Sequence, residues 1–424
     1  MAVITAEVQY LMGCLRAWGS GHSLREVAAP PPPGFDWDAL LGLAYRHSVM
    51  PLLYWVLRGE SGAGVPGPVM DRLAEGYRVN ARRNRILGRE LRRLVGLIEA
   101  RGVRVIPYKG PEMAARFYED PGLREFKDLD LLIRPEDVEA VWDLLIEDGY
   151  GPYSEMDARR RSLQRRQYKD YGFIRSGLPH HPEPLPDIRP REHPNFGRMI
   201  VEPHWSVTAR RFPFPVDYGA LFDRAQRVTF EDAEISSCPL EELLLILCVN
   251  GAKSVWVRLL MICDLAAMIR SQPALDYERC LELAGRLGCE RIALLGLALA
   301  HKCCAAPLPG PVAARVTGDE AVMALVGQIC EQFFAQPRTE GLIHTRFFSS
   351  LVLRMRERRA DRLCYLFHSV TEPGAMHMRY IPLPEALFPL YRVIVPLSDF
   401  VVVPALRLLR RRAGSSRGTH TGPR

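Results

Sequence analysis

No cysteine pair in this 424-residue chain has the CxxC spacing of a zinc ligand set or a redox dithiol; the ten cysteines are scattered, and only Cys303 and Cys304 adjoin. Most sit in apolar helical context, such as Cys248 in LLLILCVN and Cys263 in LLMICDLA, so buried, reduced thiols are expected. No stretch reaches the roughly 18 uncharged apolar residues of a membrane-spanning helix. GxSxG, GxxxxGKS/T and HExxH are all missing, which removes the anchors of serine hydrolases, P-loop enzymes and zincins. The first residues, MAVITAEVQYLMGCLRAWG, lack the basic start, continuous apolar core and small-residue cleavage site of a signal peptide; they read as an amphipathic helix, and a cytoplasmic protein is expected. Acid is missing from the end. From Arg407 onward there are six arginines and no Asp or Glu, which accounts for all but one of the +7 net charges. The remainder is nearly neutral, so the basic face that specific nucleic-acid binding requires is not expected.

What is present suits a soluble globular chain of two or three packed units, with 48% apolar and 25% charged residues. Residues 1–101 read as a helical region. DWDALLGLAYRHSVMPLLYWVLRG opens on a capping Asp and carries apolar residues at three- and four-residue spacing. NARRNRILGRELRRLVGLIEARG places Ile86, Leu91, Leu94, Val95 and Ile98 on one stripe, with Arg85, Arg89 and Arg92 on another face, read as solvated. Residues 102–235 read as an α/β core. VRVIPY, LDLLI, YKDYGFIRS and RMIVEPHWSV are strand candidates, PEMAARFYE and RPEDVEAVWDLLIEDG are helices, and the Pro- and His-rich GLPHHPEPLPDIRPREHPNFG is a long loop. Residues 236–375 return to helices, including PLEELLLILCVNGAK, WVRLLMICDLAAMIR and DYERCLELAGRLG. Residues 376–424 form an apolar segment and a basic tail expected to be disordered. The fold class is therefore α+β, a small mixed-sheet core flanked by helical regions.

Within the core, Asp128 and Asp130 stand at i and i+2 of a strand, so their carboxylates point the same way. Two like charges this close repel unless a cation or a proton sits between them. A few carboxylates plus substrate phosphates are what Mg²⁺ favours. Glu202, in IVEPHW, offers a third carboxylate from a neighbouring strand. Upstream, Lys109-Gly110 ends a strand and opens a helix, a place where backbone amides bind phosphate and glycine permits close approach. His204 follows Glu202 by two residues and shares its strand face, where it is expected to orient substrate or ligand. His180, His181 and His193 have no metal-like spacing, and zinc is not expected. Asp264 reads equally as a residue supporting the site, a cap or an exposed acid.

The order strand, Lys109-Gly110 turn, helix, Leu123-Arg124, Asp128-Leu129-Asp130 strand, helix, then Glu202-Pro203-His204-Trp205 resembles the DNA polymerase beta-type nucleotidyltransferase superfamily, and in particular its bacterial nucleotidyltransferase family branch. WVRLLMICDLAAMI and LLGLAYRHSVMPLLYWVL resemble that branch too, so the likeness runs from about residue 35 to 270. The resemblance implies an Mg²⁺ (or Mn²⁺)-dependent enzyme that moves a nucleoside monophosphate from an NTP to an acceptor of unknown identity. Asp128, Asp130 and Glu202 would hold the metal and act in catalysis, and Lys109, Gly110, Arg124 and His204 would bind the nucleotide. Pro111, following Gly110 where Gly or Ser is usual, weakens the phosphate grip because proline has no N–H; Lys109 and Arg124 would compensate as charge donors. A catalytically silent scaffold or regulatory binder with this fold is the alternative. For LFPLYRVIVPLSDFVVVPALRLLRRR, packing onto the body is the first reading and a weak peripheral membrane contact the second.

Overall fold

A computed structural model describes residues 5–59, 64–153, 161–162, 165–166, 168–176, 198–334 and 350–402. The Pro- and His-rich loop, with His180, His181 and His193, and the tail from residue 403 lie outside the described residues. The N-terminal helices are α1 (Ala6–Ser20), α2 (Leu24–Val27), α3 (Trp37–Arg46), α4 (Met50–Gly59) and the long α5 (Gly67–Ala100). The core follows as β1 (Val105–Pro107), α6 (Gly110–Phe117), β2 (Asp128–Ile133), α7 (Val138–Glu147), β3 (Gly151–Pro152), β4 (Phe173–Ser176), β5 (Arg198–His204), α8 (Tyr218–Asp223) and the hairpin β6 (Gln226–Phe230) and β7 (Ala233–Ser237). Then come α9 (Leu240–Lys253), α10 (Leu260–Ser271), α11 (Tyr277–Leu287), α12 (Glu290–Cys304), α13 (Gly310–Gly318) and α14 (Glu320–Phe334). This is the expected α+β architecture.

Five strands form one mixed sheet in the order β1-β2-β5-β4-β3. Only β2 and β5 run parallel; the other neighbours are antiparallel. The β2–β5 register pairs Asp130 with Glu202 and Leu132 with His204. Leu129, Leu131, Leu132, Ile133 and Val201 are fully buried, so the two central strands are apolar apart from the residues of one face.

Two helices depart from their sequence reading. The run from Trp37 to Gly59 breaks between α3 and α4, where Ser48 adopts φ 57°. Pro51 cannot donate to the carbonyl of His47 and its ring would collide with it; that carbonyl accepts instead from the Leu260 amide at 3.2 Å. Similarly, α10 starts at Leu260 rather than Trp256. Val255 and Trp256 take left-handed backbone angles, and the indole is completely buried against Gly251, where a Cβ would lie 2.4 Å from the ring. Only glycine leaves that slot open.

All ten cysteines are free, and all but Cys330 and Cys364 are buried. The chain contacts group residues 1–154, 170–207 and 214–358 in one unit and 155–169, 208–213 and 359–424 in another. The second contains α15 (Arg359–Thr371), α16 (Ala375–Tyr380) and α17 (Tyr391–Leu397), with Tyr391 and Val395 packed among Met378, Leu383 and Phe388. Among the described residues, no helix is long and apolar enough to cross a membrane.

Candidate functional site

Strand register builds the site. Asp130 and Glu202 are direct partners on parallel strands, so both carboxylates leave the same face of the sheet. Asp128 and His204, each two residues away along its strand, share that face. One ligand atom each from Asp130, Glu202 and His204 lies within 4.8 Å of the others. That trio includes His204 and not Asp128. Nε2 of His204 is 2.9 Å from Asp130 and 3.5 Å from Glu202, while Nδ1 is 3.3 Å from Asp170, which bridges to His204 at the backbone level. The imidazole is wholly buried, with its ring edge-on to Tyr108 at 5.4 Å.

The charges are crowded. Burial, reinforced by Asp130 and Glu202, pushes the Asp128 carboxyl up to about 6. Burial and the carboxylates of Asp130, Asp170 and Glu202 likewise keep the Tyr108 phenol protonated well above its ordinary range. The buried Tyr108 hydroxyl has no hydrogen-bond partner among the described residues. Lys109 supplies nearby positive charge, with Nζ 3.1 Å from Asp130.

Gly110 occupies the turn with φ +60°, and a Cβ there would meet the Asp128 carbonyl oxygen at 3.1 Å. Glycine thus lets the start of α6 press against the start of β2. In the first turn of α6, burial raises the Glu112 carboxyl, although Ser237 donates to it at 2.6 Å and Arg116 lies beside it.

Arg124 is placed differently from the expectation that it would face a triphosphate. Its Nε and Nη2 donate to Asp264 at 2.7 and 2.9 Å, and Nη1 lies 3.4 Å from the Gly110 carbonyl oxygen. Tyr118 donates to the same aspartate at 2.7 Å. Burial opposes the guanidinium charge, but Asp264 more than offsets it, so Arg124 stays ionised. Arg124 braces the glycine turn, and Asp264 is its buried counter-ion rather than a cap or an exposed acid.

The segment leading into β2 is held from α5. The Asn80 amide donates to the carbonyls of Gly122 and Arg124 at 2.8 and 3.0 Å; that of Asn84 donates to Pro121 and Arg124 at 2.8 and 2.7 Å. Arg83 donates to the Phe126 carbonyl at 2.5 Å. These buried asparagines continue the face of Leu87, Leu91, Leu94 and Ile98 toward the start of the helix, where polar side chains gave no apolar signal to mark it. Asp170 had no such signal, since only the sheet brings it to His204. Arg85 and Arg89 are exposed, as their solvated-face reading requires, whereas Arg92 pairs with Asp232 at 2.5 Å.

A mixed five-stranded sheet with a glycine turn beneath one helix and facing carboxylates on two adjacent strands is an arrangement suited to holding a cation and a phosphate chain together. The family described as uncharacterised nucleotidyltransferase matches residues 33–305, and the chain belongs to that family. No curated protein and no solved structure matches the chain.

Proposed function

We propose that the protein is a divalent-cation-dependent nucleotidyltransferase, with Asp128, Asp130 and Glu202 holding the cation. The observation that carries this reading is the parallel pairing of Asp130 with Glu202, which sets carboxylates from two strands on one sheet face in a chain of this family. The residues fit such an ion: the face is rich in carboxylates, and the buried Tyr108 hydroxyl beside it lacks a partner among the described residues. When bound, Mg²⁺ or Mn²⁺ supplies charge neutralisation for the triphosphate and the departing pyrophosphate.

The chain's own groups have distinct tasks. Lys109, 3.1 Å from Asp130 and itself mostly buried, can turn its ammonium from the carboxylate to a phosphate oxygen. The backbone amides of Gly110, Glu112 and Met113 open α6 toward an anion, with Pro111 contributing none. Glu202 is the carboxylate an acceptor can reach, with its side chain 31% exposed against 6% for Asp130. It takes the proton of the acceptor hydroxyl as that oxygen bonds to the α-phosphorus and the bond to pyrophosphate breaks.

Incubation with each α-labelled NTP, Mg²⁺ or Mn²⁺ and fractionated small molecules, peptides and proteins should transfer label to one acceptor fraction. Loss of transfer in Glu202→Gln should accompany it. Tight NTP binding with no transfer to any fraction would favour the silent scaffold instead.

A further inference from the structure

We propose that His204 is itself a ligand of the bound cation through Nε2, and that Asp170 is the positioning residue that fixes it in that role. The inference rests on the reading that this sheet face holds a divalent ion, and goes beyond it by assigning a nitrogen donor and a residue behind it.

Three observations carry it. First, one ligand atom each from Asp130, Glu202 and His204 lies within 4.8 Å of the others. The imidazole presents Nε2 to the two carboxylates at 2.9 and 3.5 Å. Second, the opposite ring nitrogen faces the Asp170 carboxylate at 3.3 Å. A carboxylate accepting from Nδ1–H selects the tautomer in which Nε2 carries the lone pair that faces Asp130 and Glu202. The backbone bridge between Asp170 and His204 fixes the two residues relative to each other. Third, the ring is wholly buried and edge-on to Tyr108, so it has little freedom to point elsewhere.

The chemistry then favours particular ions. The carboxylates of Asp128, Asp130 and Glu202 joined by one imidazole suit Mn²⁺, Co²⁺ or Zn²⁺ better than an all-oxygen set would, whereas Mg²⁺ gains little from nitrogen. The competing arrangement is a ring whose Nε2–H simply donates to Asp130, 2.9 Å away. In that arrangement Nε2 keeps its proton and never reaches the ion.

The test uses the full chain, Mn²⁺ alone and no nucleotide, with binding followed by electron paramagnetic resonance and donor type by pulsed hyperfine spectroscopy. Wild-type protein should show a nitrogen coupling to bound Mn²⁺. Asp170→Asn should weaken Mn²⁺ binding by about 10–100-fold, the usual effect of removing such a partner. It should also diminish the coupling, and Asp170→Glu should restore part of both. Circular dichroism melts check that the variants are folded, and the wild-type spectrum needs no variant. Bound Mn²⁺ without nitrogen coupling would overturn the assignment of His204 while leaving the carboxylate site standing. Unchanged affinity and coupling in Asp170→Asn would overturn the role of Asp170. If neither Mn²⁺ nor Mg²⁺ binds, with or without NTP, the proposed function falls and this inference with it.

Discussion

At the scale of single residues, Asp128 and His47 illustrate two different costs of burial. Asp128 lies beside two other carboxylates, and its repulsion is repaid only when a cation is present. Asp128→Asn should therefore leave the melting temperature of the metal-free protein unchanged or higher, yet reduce Mg²⁺·NTP affinity at least tenfold. Calorimetric titration that finds wild-type affinity would remove Asp128 from the metal set. His47 is buried as a neutral ring. Its Nε2 donates to the Phe333 carbonyl at 3.2 Å and its Nδ1 accepts from the Leu259 amide at 3.4 Å. Burial, helped by the positive charges of Arg46 and Arg258, pushes its pKa down from 6.5 to about 4. Between those values the unfolded chain binds the proton more readily than the folded one. The contribution is thus fully present above about 6.5 and is lost as the pH falls toward 4, amounting to roughly 3 kcal/mol by linkage. Urea denaturation of wild type and His47→Gln at pH 7.5, 6 and 5 should show a shallower pH dependence in the variant; parallel profiles would refute the assignment.

Among the elements, α5 does more than cover the sheet. Its Asn80 and Asn84 amides satisfy buried carbonyls of the segment that enters β2, and Arg124 ties the same region to α10 through Asp264. Replacing Asn80 with alanine leaves the buried Gly122 carbonyl unpaired, which costs about 1–3 kcal/mol, whereas replacing Asn84 frees only the part-buried Pro121 carbonyl and costs less. The two changes share the Arg124 carbonyl, so the double variant is expected to be non-additive. Nucleotide affinity should fall as well, because the Asp128 end of β2 loses its brace. A double variant with an unshifted denaturation midpoint would show that these hydrogen bonds are not what positions the strand.

The whole molecule divides its chemistry and its surface between two units. Every residue of the candidate site belongs to the first. The second displays Leu363, Val393, Phe400 and Val401 to solvent, and the basic end of the sequence follows. Exposed apolar side chains followed in the sequence by a run of arginines are a combination that suits an anionic lipid surface. Deleting residues 410–424 should weaken binding to phosphatidylserine vesicles several-fold and flatten its salt dependence, with nucleotidyl transfer unaltered. Vesicle binding that survives the deletion at every salt concentration would exclude the tail as the electrostatic element.

The sequence by itself determined the elements and the candidate donors. Asp-x-Asp on an apolar strand, the Lys-Gly turn and the alternation around Glu202 are local patterns, and locally the strand period of two decides which side chains share a face. It also determined the class of fold, because the switch from helical to strand periodicity and back is written along the chain. Where local pattern ran out, packing decided. Apolar spacing continues through His47 and Trp256, but the first run breaks before a proline that cannot donate, and the second helix starts only at Leu260, leaving Trp256 ahead of it to bury its indole. The partners of Arg124 and His204 were equally out of reach of local reading. Asp264 and Asp170 are distant in sequence, and only helix packing and strand order bring them to those side chains. Charge alone makes Arg124 a phosphate ligand; its buried carboxylate partner makes it a brace. Periodicity fixes the direction a side chain takes, and the identity of what it meets there depends on tertiary contacts that no local pattern encodes.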